Sequence, residues 1–283
     1  MTPQELAFLC AFIRDRSGIV LSSDKRYLVE NRLRPVAAKH GLNTLSDLVA
    51  TIRGQREGPL VREVVEAMTT NETLFFRDVK PFDVLRDTLF PRMRASRARR
   101  PLRVWSAACS GGQEHYSIAI SARECATAQP GLACDILATD IARSILEKAR
   151  LGIYSQFEVQ RGMPIRLLIK YFDQIGTQWH VKPEVRACVR FQEQNILKDF
   201  SPLGSFDIIF CRNVLIYFDV ETKRDVIERL AKSLAPDGAL FLGSSETVLG
   251  ITDCLEPIES YRGAYRPRGA SVPQSRPLAN RAS

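Results

Sequence analysis

The sequence predicts an α/β protein with a doubly wound sheet, preceded by a small all-helical domain and interrupted by a small inserted β subdomain. Three observations predict it. In the first 70 residues, apolar positions recur at helical spacing behind helix-start signals. From about residue 100, short apolar runs rich in β-branched residues alternate with helix-length amphipathic stretches, the pattern of a parallel sheet covered by helices. Glycine-bearing or polar motifs follow three of these runs, where open α/β sheets place their ligands.

The N-terminal domain, residues 1–70, is read as four short helices. Thr2-Pro3-Gln4-Glu5 supplies a hydroxyl at the N-cap, proline at N1 and glutamate at N3, which opens the first. Leu6, Leu9 and Ile13, with Phe8 and Phe12, form its buried face. A second opens at Ser23 or Asp24 and carries Tyr27, Leu28 and Leu33 until Pro35 disturbs it, with Gly41 ending the segment. Thr44 with Asp47 starts a third, and Gly58-Pro59 precedes a fourth through Val61, Val64, Val65 and Met68.

The larger domain, residues 71–268, carries predicted strands at 102–107, 134–139, 206–211 and 239–242. Helices are expected at 116–126, 141–149 and 222–234, and Pro236-Asp237-Gly238 reads as the turn feeding the last strand. The stretch from about 162 to 191 breaks the alternation, and 179–181 with 186–191 suit a small antiparallel excursion. Residues 269–283, rich in Pro, Ser, Arg and Ala, are expected to form a disordered tail.

With 283 residues, 45% of them apolar, the chain is long enough to bury a sizeable core, which excludes disorder throughout. No apolar run approaches the roughly 18 residues that cross a bilayer, and the first residues lack the basic region of a signal peptide. The expectation is a soluble cytoplasmic protein without direct membrane insertion. The cysteines are odd in number, scattered and never in a C-x-x-C pair, so neither a disulfide framework nor a zinc knuckle fits and no metal is expected. Residues 1–100 carry 18 Lys/Arg against 12 Asp/Glu, residues 101–261 carry 17 against 20, and the remainder 5 against none. A neutral-to-acidic body between basic ends suits a ligand-binding domain with a cationic docking surface, or simply a solvated one.

Four sites carry chemistry. Ser110-Gly111-Gly112 lies between a strand and a helix, where the backbone can approach a ligand, but G-x-G-x-x-G is absent. Glu114 at the helix start would repel a pyrophosphate and suit a cation such as an amino group or sulfonium. Asp140 ends the next strand, where an acidic residue accepts ribose hydroxyls; taken alone it reads equally as a helix N-cap. Together these favour a positively charged nucleoside, with S-adenosylmethionine the obvious candidate. The third site is the junction, residues 69–77, where Asn71, Thr73 and Arg77 can meet a ligand's carboxylate while Phe75 and Phe76 pin two domains. The fourth is Arg212-Asn213, directly after an apolar strand. Tyr217 beyond it is either a packed core aromatic or faces a methyl acceptor.

The runs Thr69-Thr70-Asn71-Glu72-Thr73-Leu74-Phe75-Phe76-Arg77, Ala107-Ala108-Cys109-Ser110-Gly111-Gly112-Gln113-Glu114-His115-Tyr116-Ser117 and Phe210-Cys211-Arg212-Asn213-Val214-Leu215-Ile216-Tyr217-Phe218 resemble the CheR chemotaxis receptor methyltransferases. Lys148-Ala149-Arg150-Leu151-Gly152-Ile153-Tyr154 and Gly243-Ser244-Ser245-Glu246 fit as well. The resemblance spans about residues 5 to 265. It implies a protein-glutamate O-methyltransferase with a Rossmann-like S-adenosylmethionine domain, which releases S-adenosylhomocysteine. By motif position the cofactor would meet Asn71, Thr73, Arg77, Glu114 and Asp140, with Asn195-Ile196 flanking its adenine and Arg212-Asn213 completing the pocket. Arg77 and Tyr217 would orient the incoming carboxylate as catalytic residues. Where the family usually reads S-T-G-E-E-P-Y-S, this chain has Gln113 for a glutamate and His115 for a proline; His115 is read as loop filler.

The resemblance also implies a partner: the glutamate-bearing methylation helices of chemoreceptors, docking on Lys25, Arg26 and Arg32 of the basic second helix. The insertion reads as short, so independence from a receptor's C-terminal peptide tether is expected. The alternative reading is a sensor or adaptor that binds S-adenosylmethionine with weak or lost turnover, motivated by Gln113 and His115. A nucleic-acid methyltransferase lacks its Asn/Asp-Pro-Pro-aromatic signature here, so no nucleic-acid partner is expected. A nicotinamide dehydrogenase would need a differently spaced and differently charged glycine turn.

Overall fold

The computed structural model describes residues 1–97, 100–128, 130–259 and 261–269; from residue 270 the expected tail lies outside the described residues. Helix α1 (Pro3–Ser17) opens with the expected box: the Thr2 hydroxyl accepts from the Glu5 amide at 3.2 Å, and the Glu5 carboxylate accepts from the Thr2 amide at 2.6 Å. A 3₁₀ turn at Ser23–Lys25 leads into α2 (Arg26–Lys39). The helix runs through Pro35, expected to disturb it, to Lys39, just short of the expected stop at Gly41. The Pro35 ring lies on the exposed face, while Val29, Leu33, Val36 and Ala37 are buried on the other, and that packing outweighs the hydrogen bond proline removes. Helix α3 (Leu45–Arg53) repeats the box with Thr44 and Asp47, and α4 (Pro59–Met68) completes a core around Leu9, Ile13, Leu33, Leu48, Ile52 and Val64.

After an irregular strap, a helical segment unforeseen from sequence runs through α5 (Lys80–Val84), a π turn at Leu85–Leu89 and α6 (Phe90–Ser96). Pro81 and Pro91 mask it in the sequence, yet Pro81 sits in the first turn, where a missing N–H is harmless, and Pro91 directly follows the π turn that departs from the regular helical bonding. Its buried face is Phe82, Leu85, Leu89, Phe90 and Met93.

The main sheet contains β1 (Leu102–Ala107), β2 (Cys134–Asp140), β6 (Val189–Glu193), β7 (Phe206–Cys211), β8 (Leu234–Phe241), β9 (Leu255–Pro257) and β10 (Ala264–Pro267), in the order β6-β2-β1-β7-β8-β10-β9. The first five are parallel, and β10 and β9 close the edge antiparallel. Helices α7 (Gln113–Ala128), α8 (Arg143–Leu151) and α12 (Val220–Lys232) connect or cover them. A second sheet, order β3-β5-β4, is formed by β3 (Ile153–Ser155), β4 (Phe172–Ile175) and β5 (Gln178–Val181), with short helices α9 (Gln156–Gln160), α10 (Ile165–Tyr171) and α11 (Pro183–Arg186) around it.

Two expectations are corrected. Residues 186–191 are not an antiparallel excursion, because Val189 to Phe191 pair in parallel with Ile136 to Ala138 of β2; the small sheet recruits Ile153–Ser155 instead. Pro236-Asp237-Gly238 is not a turn but a bulge inside β8, where the pairing with β7 shifts register. A Cβ at Gly238 would lie 2.9 Å from the Ala235 carbonyl oxygen and 3.0 Å from that of Asp207.

At the amino end of the sheet, Asp207 has no solvent exposure and accepts hydrogen bonds from Arg97 Nε (2.9 Å), Arg100 Nη1 (2.7 Å) and the Arg103 amide (2.9 Å); Arg97 also pairs with Asp237. Burial opposes ionisation of Asp207, but these donors outweigh it and hold its carboxyl below the ordinary carboxylate value. Its contribution is therefore complete at neutral pH and lost as pH falls through that lowered value. Asp207→Ala leaves Arg97, whose side chain is 9% exposed, with Asp237 as its remaining carboxylate and removes the acceptor of Arg100 and the Arg103 amide; it is expected to cost about 3 kcal/mol in urea unfolding at pH 7, with the difference from wild type shrinking in acid.

Candidate functional site

The strand order reverses direction at β1, whose neighbours are β2 on one side and β7 on the other. Loops leaving the carboxyl ends of β1 and β7 must therefore part there, and a crevice opens between them. It encloses about 850 Å³ including its solvent-filled mouth. Asn71, Thr73, Arg77, Glu114, Asp140, Asn195, Ile196, Arg212, Asn213 and Tyr217 all line it.

Arg212 is its hub. The side chain, 1% exposed, donates to Glu114 Oε2 at 3.1 Å, Asp78 Oδ2 at 2.6 Å and the Arg77 carbonyl at 3.0 Å, while its Nε has no partner among the described residues. Glu114 also accepts from the Ser106 hydroxyl at 2.9 Å. Burial raises the Glu114 carboxyl above its ordinary value, and Arg212 is the largest influence opposing that. On the neighbouring edge, Asp140 accepts from the Ser110 amide at 2.8 Å and the Ala142 amide at 2.9 Å, so it ties the glycine turn to the start of α8 while lining the crevice. Burial raises its carboxyl too, against these amide bonds.

The glycine turn approaches closely because its backbone is bent against type. Ala108 and Ser110 have φ of 56° and 51°. At Gly112, φ is 105° and a Cβ would stand 2.4 Å from the Tyr154 hydroxyl, which donates to the Gly111 carbonyl at 2.9 Å. The strap at 69–79 is fastened over this turn: Ser110 Oγ donates to the Asn71 carbonyl at 2.9 Å, and the Phe76 amide donates to Ser117 Oγ at 2.9 Å. Phe75 packs edge-on against Tyr154 and Phe172, and Phe76 against Phe82. These aromatics join the strap to the α/β core and the inserted sheet, not to the N-terminal helical core as the sequence suggests.

Two of the assigned side chains have partners within the protein. Asn195 lines the crevice, but its side chain is spent elsewhere: Nδ2 donates to the Arg16 carbonyl at 2.6 Å and Oδ1 accepts from the Leu197 amide at 2.9 Å. Arg32, expected on the docking surface, is half-buried and donates to the Met68 and Thr69 carbonyls, both at 2.9 Å, so it grips the strap.

Sequence reasoning missed the part the helical domain plays. Ser17, Ile19, Thr69 and Thr70 form one wall of the crevice, and the Val20 amide donates to the Tyr217 carbonyl at 2.9 Å. Glu66 of α4 caps α8 in trans, accepting from the amides of Arg143 (2.9 Å) and Ser144 (3.3 Å) and the Ser144 hydroxyl (2.6 Å). A lone glutamate on a surface helix carries no signal of that in the sequence. Tyr217 itself is half-buried between the helical core and the cluster under β7 and β8.

The donor set suits S-adenosylmethionine. Carboxylates on two adjacent strand edges can meet a ribose and a cationic centre, and three acidic residues against two arginines leave the crevice lining net negative. Gln113 and His115 are not loop residues but lie in α7, fully or nearly buried, and neither lines the crevice. His115 packs on Tyr116 and Phe191. The departures that prompted the sensor reading thus fill core space beside the site. Burial pushes the Cys109 and Cys211 thiols well up, so they pack as neutral groups. Among the described residues, no group of three or more His, Cys, Asp or Glu is arranged to hold a metal, and no helix is long and apolar enough to cross a membrane.

Comparison with known proteins agrees with this geometry. The family model described as "CheR methyltransferase, SAM binding domain" matches residues 71–264, and "CheR methyltransferase, all-alpha domain" matches residues 4–69. The chain is 44% identical over 266 residues to chemotaxis protein methyltransferase 1 of Vibrio cholerae, covering 93% of this chain and 96% of that one. It is 42% identical over 256 residues to chemotaxis protein methyltransferase 1 of Pseudomonas aeruginosa (89% and 93%), and 38% over 244 residues to the chemotaxis protein methyltransferase of Salmonella typhimurium (84% and 82%).

Burial drops His115 from 6.5 to about 3, so the folded protein keeps it neutral while the unfolded chain protonates it. Stability should fall with acid between pH 6.5 and about 3 at about 1.4 kcal/mol per pH unit from this group. Urea titrations of wild type and His115→Phe across that range should differ by this slope and converge in pH dependence above 7.

Proposed function

The chain belongs to the CheR methyltransferase family, and from that premise we propose that it transfers a methyl group from S-adenosylmethionine to glutamate carboxylates of chemoreceptor methylation helices. The observation that carries the reading is the buried Arg212–Glu114–Asp78 hub beside Asp140 at the reversal point of the sheet.

When bound, S-adenosylmethionine supplies an electrophilic methyl on a sulfonium. Asp140, held by two backbone amides, keeps lone pairs free for ribose hydroxyls. Glu114, fixed by Ser106 and Arg212, sets negative charge near the cationic end of the ligand. Asn71, Thr73 and Arg77 close over it from the strap, Ile196 with the Asn195 backbone walls the base, and Asn213 completes the pocket. A glutamate side chain is already ionised at pH 7, so its oxygen would need no general base to take the methyl, and the carbon–sulfur electron pair would leave on sulfur. Catalysis is then alignment and exclusion of water, because opposite charges cancel in the transition state. Arg77 and Tyr217, at the mouth, orient the incoming carboxylate.

Docking falls to the exposed end of α2. Lys25 and Arg26 are exposed, Arg26 donating to Glu30 at 2.8 Å, while Arg32 serves the strap. The small inserted sheet is not required as a peptide tether in this reading.

Labelled methyl should pass to receptor cytoplasmic fragments, with or without the receptor's C-terminal residues, as base-labile label that is lost when the receptor glutamates are changed to alanine. Binding of S-adenosylhomocysteine with no such label would overturn the assignment. Arg77→Ala should lower kcat/KM by about a hundredfold, and unchanged turnover and cofactor affinity would remove Arg77 from the site. Charge reversal of Lys25 and Arg26 together should raise KM for the receptor about tenfold, more at low salt, with cofactor affinity unaltered.

A further inference from the structure

Strand β7 ends at Cys211, and the segment carrying Arg212, Asn213 and Tyr217 continues outside the sheet. Glu246, beyond the end of β8, holds it. Its Oε2 accepts from the amides of Gly243 (2.7 Å) and Asn213 (2.8 Å), and its Oε1 from those of Val214 (3.0 Å) and Ile216 (3.3 Å). All four partners are donors, and a carboxylate is the one side-chain group of this length that only accepts. The bonds converge where the backbone is least willing: Asn213 has φ of 59°. Space is equally tight at Gly243, where a Cβ would fall 2.6 Å from Asn213 Nδ2 and 2.8 Å from Glu246 Oε2. Glu246 does not line the crevice.

Resting on the methyl-transfer reading above, we propose that Glu246 is a positioning residue for the acceptor side of the site. It fixes the loop at 213–217, so that Tyr217 holds its place in the crevice wall, without itself touching either substrate. Neutral replacement should spare the fold, because the core beneath β7 and β8 is independent of it, and should loosen only this loop.

Glu246→Gln and Glu246→Asp test this by amide hydrogen exchange and steady-state kinetics. In Glu246→Gln the amides of Asn213, Val214, Ile216 and Gly243 should exchange at least about tenfold faster while those of β7 keep their protection. Turnover at saturating cofactor and receptor should fall about tenfold or more, with S-adenosylhomocysteine affinity changed by less than about fivefold. Glu246→Asp, which keeps the acceptor-only group, should recover part of both. Unchanged exchange at the four amides overturns the proposal, as does faster exchange with wild-type turnover. Loss of turnover matched by equal loss of cofactor affinity also overturns it, since the loop would then serve the cofactor alone. Should wild type itself transfer no methyl to receptor fragments, the receptor reading falls and the exchange of the four amides alone decides for or against Glu246.

Discussion

A buried guanidinium has to be paired, and the organisation of this protein follows from where Arg212 finds its partners. At 1% exposure its charge is tolerable only with compensating carboxylates. Those come from two directions: Glu114 at the start of α7, and Asp78 on the strap that leads out of the helical domain. One side chain thereby joins the end of β7, the glycine turn after β1 and the interdomain strap. These are the three segments that must converge for a crevice to exist at the reversal point of the sheet.

Convergence has a conformational cost, and the cost is localised. Among the described residues, positive φ at non-glycine positions occurs only at Phe76, Asp78, Val79, Ala108, Ser110 and Asn213. All lie on the strap, the glycine turn or the loop after β7. Each such residue costs on the order of 1 kcal/mol or more, and the fastenings stand beside them: Ser117 on Phe76, Asp140 on Ser110, Glu246 on Asn213, and the aromatic packing of Phe75 with Tyr154 and Phe172. Strain and its restraints are thus arranged as one rigid rim, which suits a reaction that asks for alignment more than for proton transfer.

The helical domain is part of that rim and not a separate appendage. Glu66 caps α8, Arg32 holds the last carbonyls of α4 and its sequel, Asn195 reaches the Arg16 carbonyl, and Val20 bonds to Tyr217. A face that presents Lys25 and Arg26 outward is therefore bolted, through the same helices, to the wall that supplies Ser17, Ile19, Thr69 and Thr70 to the crevice. The exposed Lys25–Arg26 end of the helical domain and the crevice wall share one scaffold.

By itself the sequence determined the α/β class, the capping boxes at Thr2 and Thr44, the central strands, and the ten residues that meet in the crevice. Those features are written locally, in the period of apolar positions, in cap chemistry, or in short motifs that directly follow the strands. Tertiary structure alone decided the rest, because it depends on which surfaces meet. Pro35 stays helical because the opposite face of α2 is buried, and Val189–Glu193 joins the main sheet because β2 offers a parallel edge. The Asn195 side chain reaches the Arg16 carbonyl of the helical domain, and Arg32 turns to the Met68 and Thr69 carbonyls of its own domain. The Arg143 amide lies 77 residues from Glu66 and the Asn213 amide 33 from Glu246, and a glutamate whose bonds reach so far looks, in sequence, like any other solvated charge.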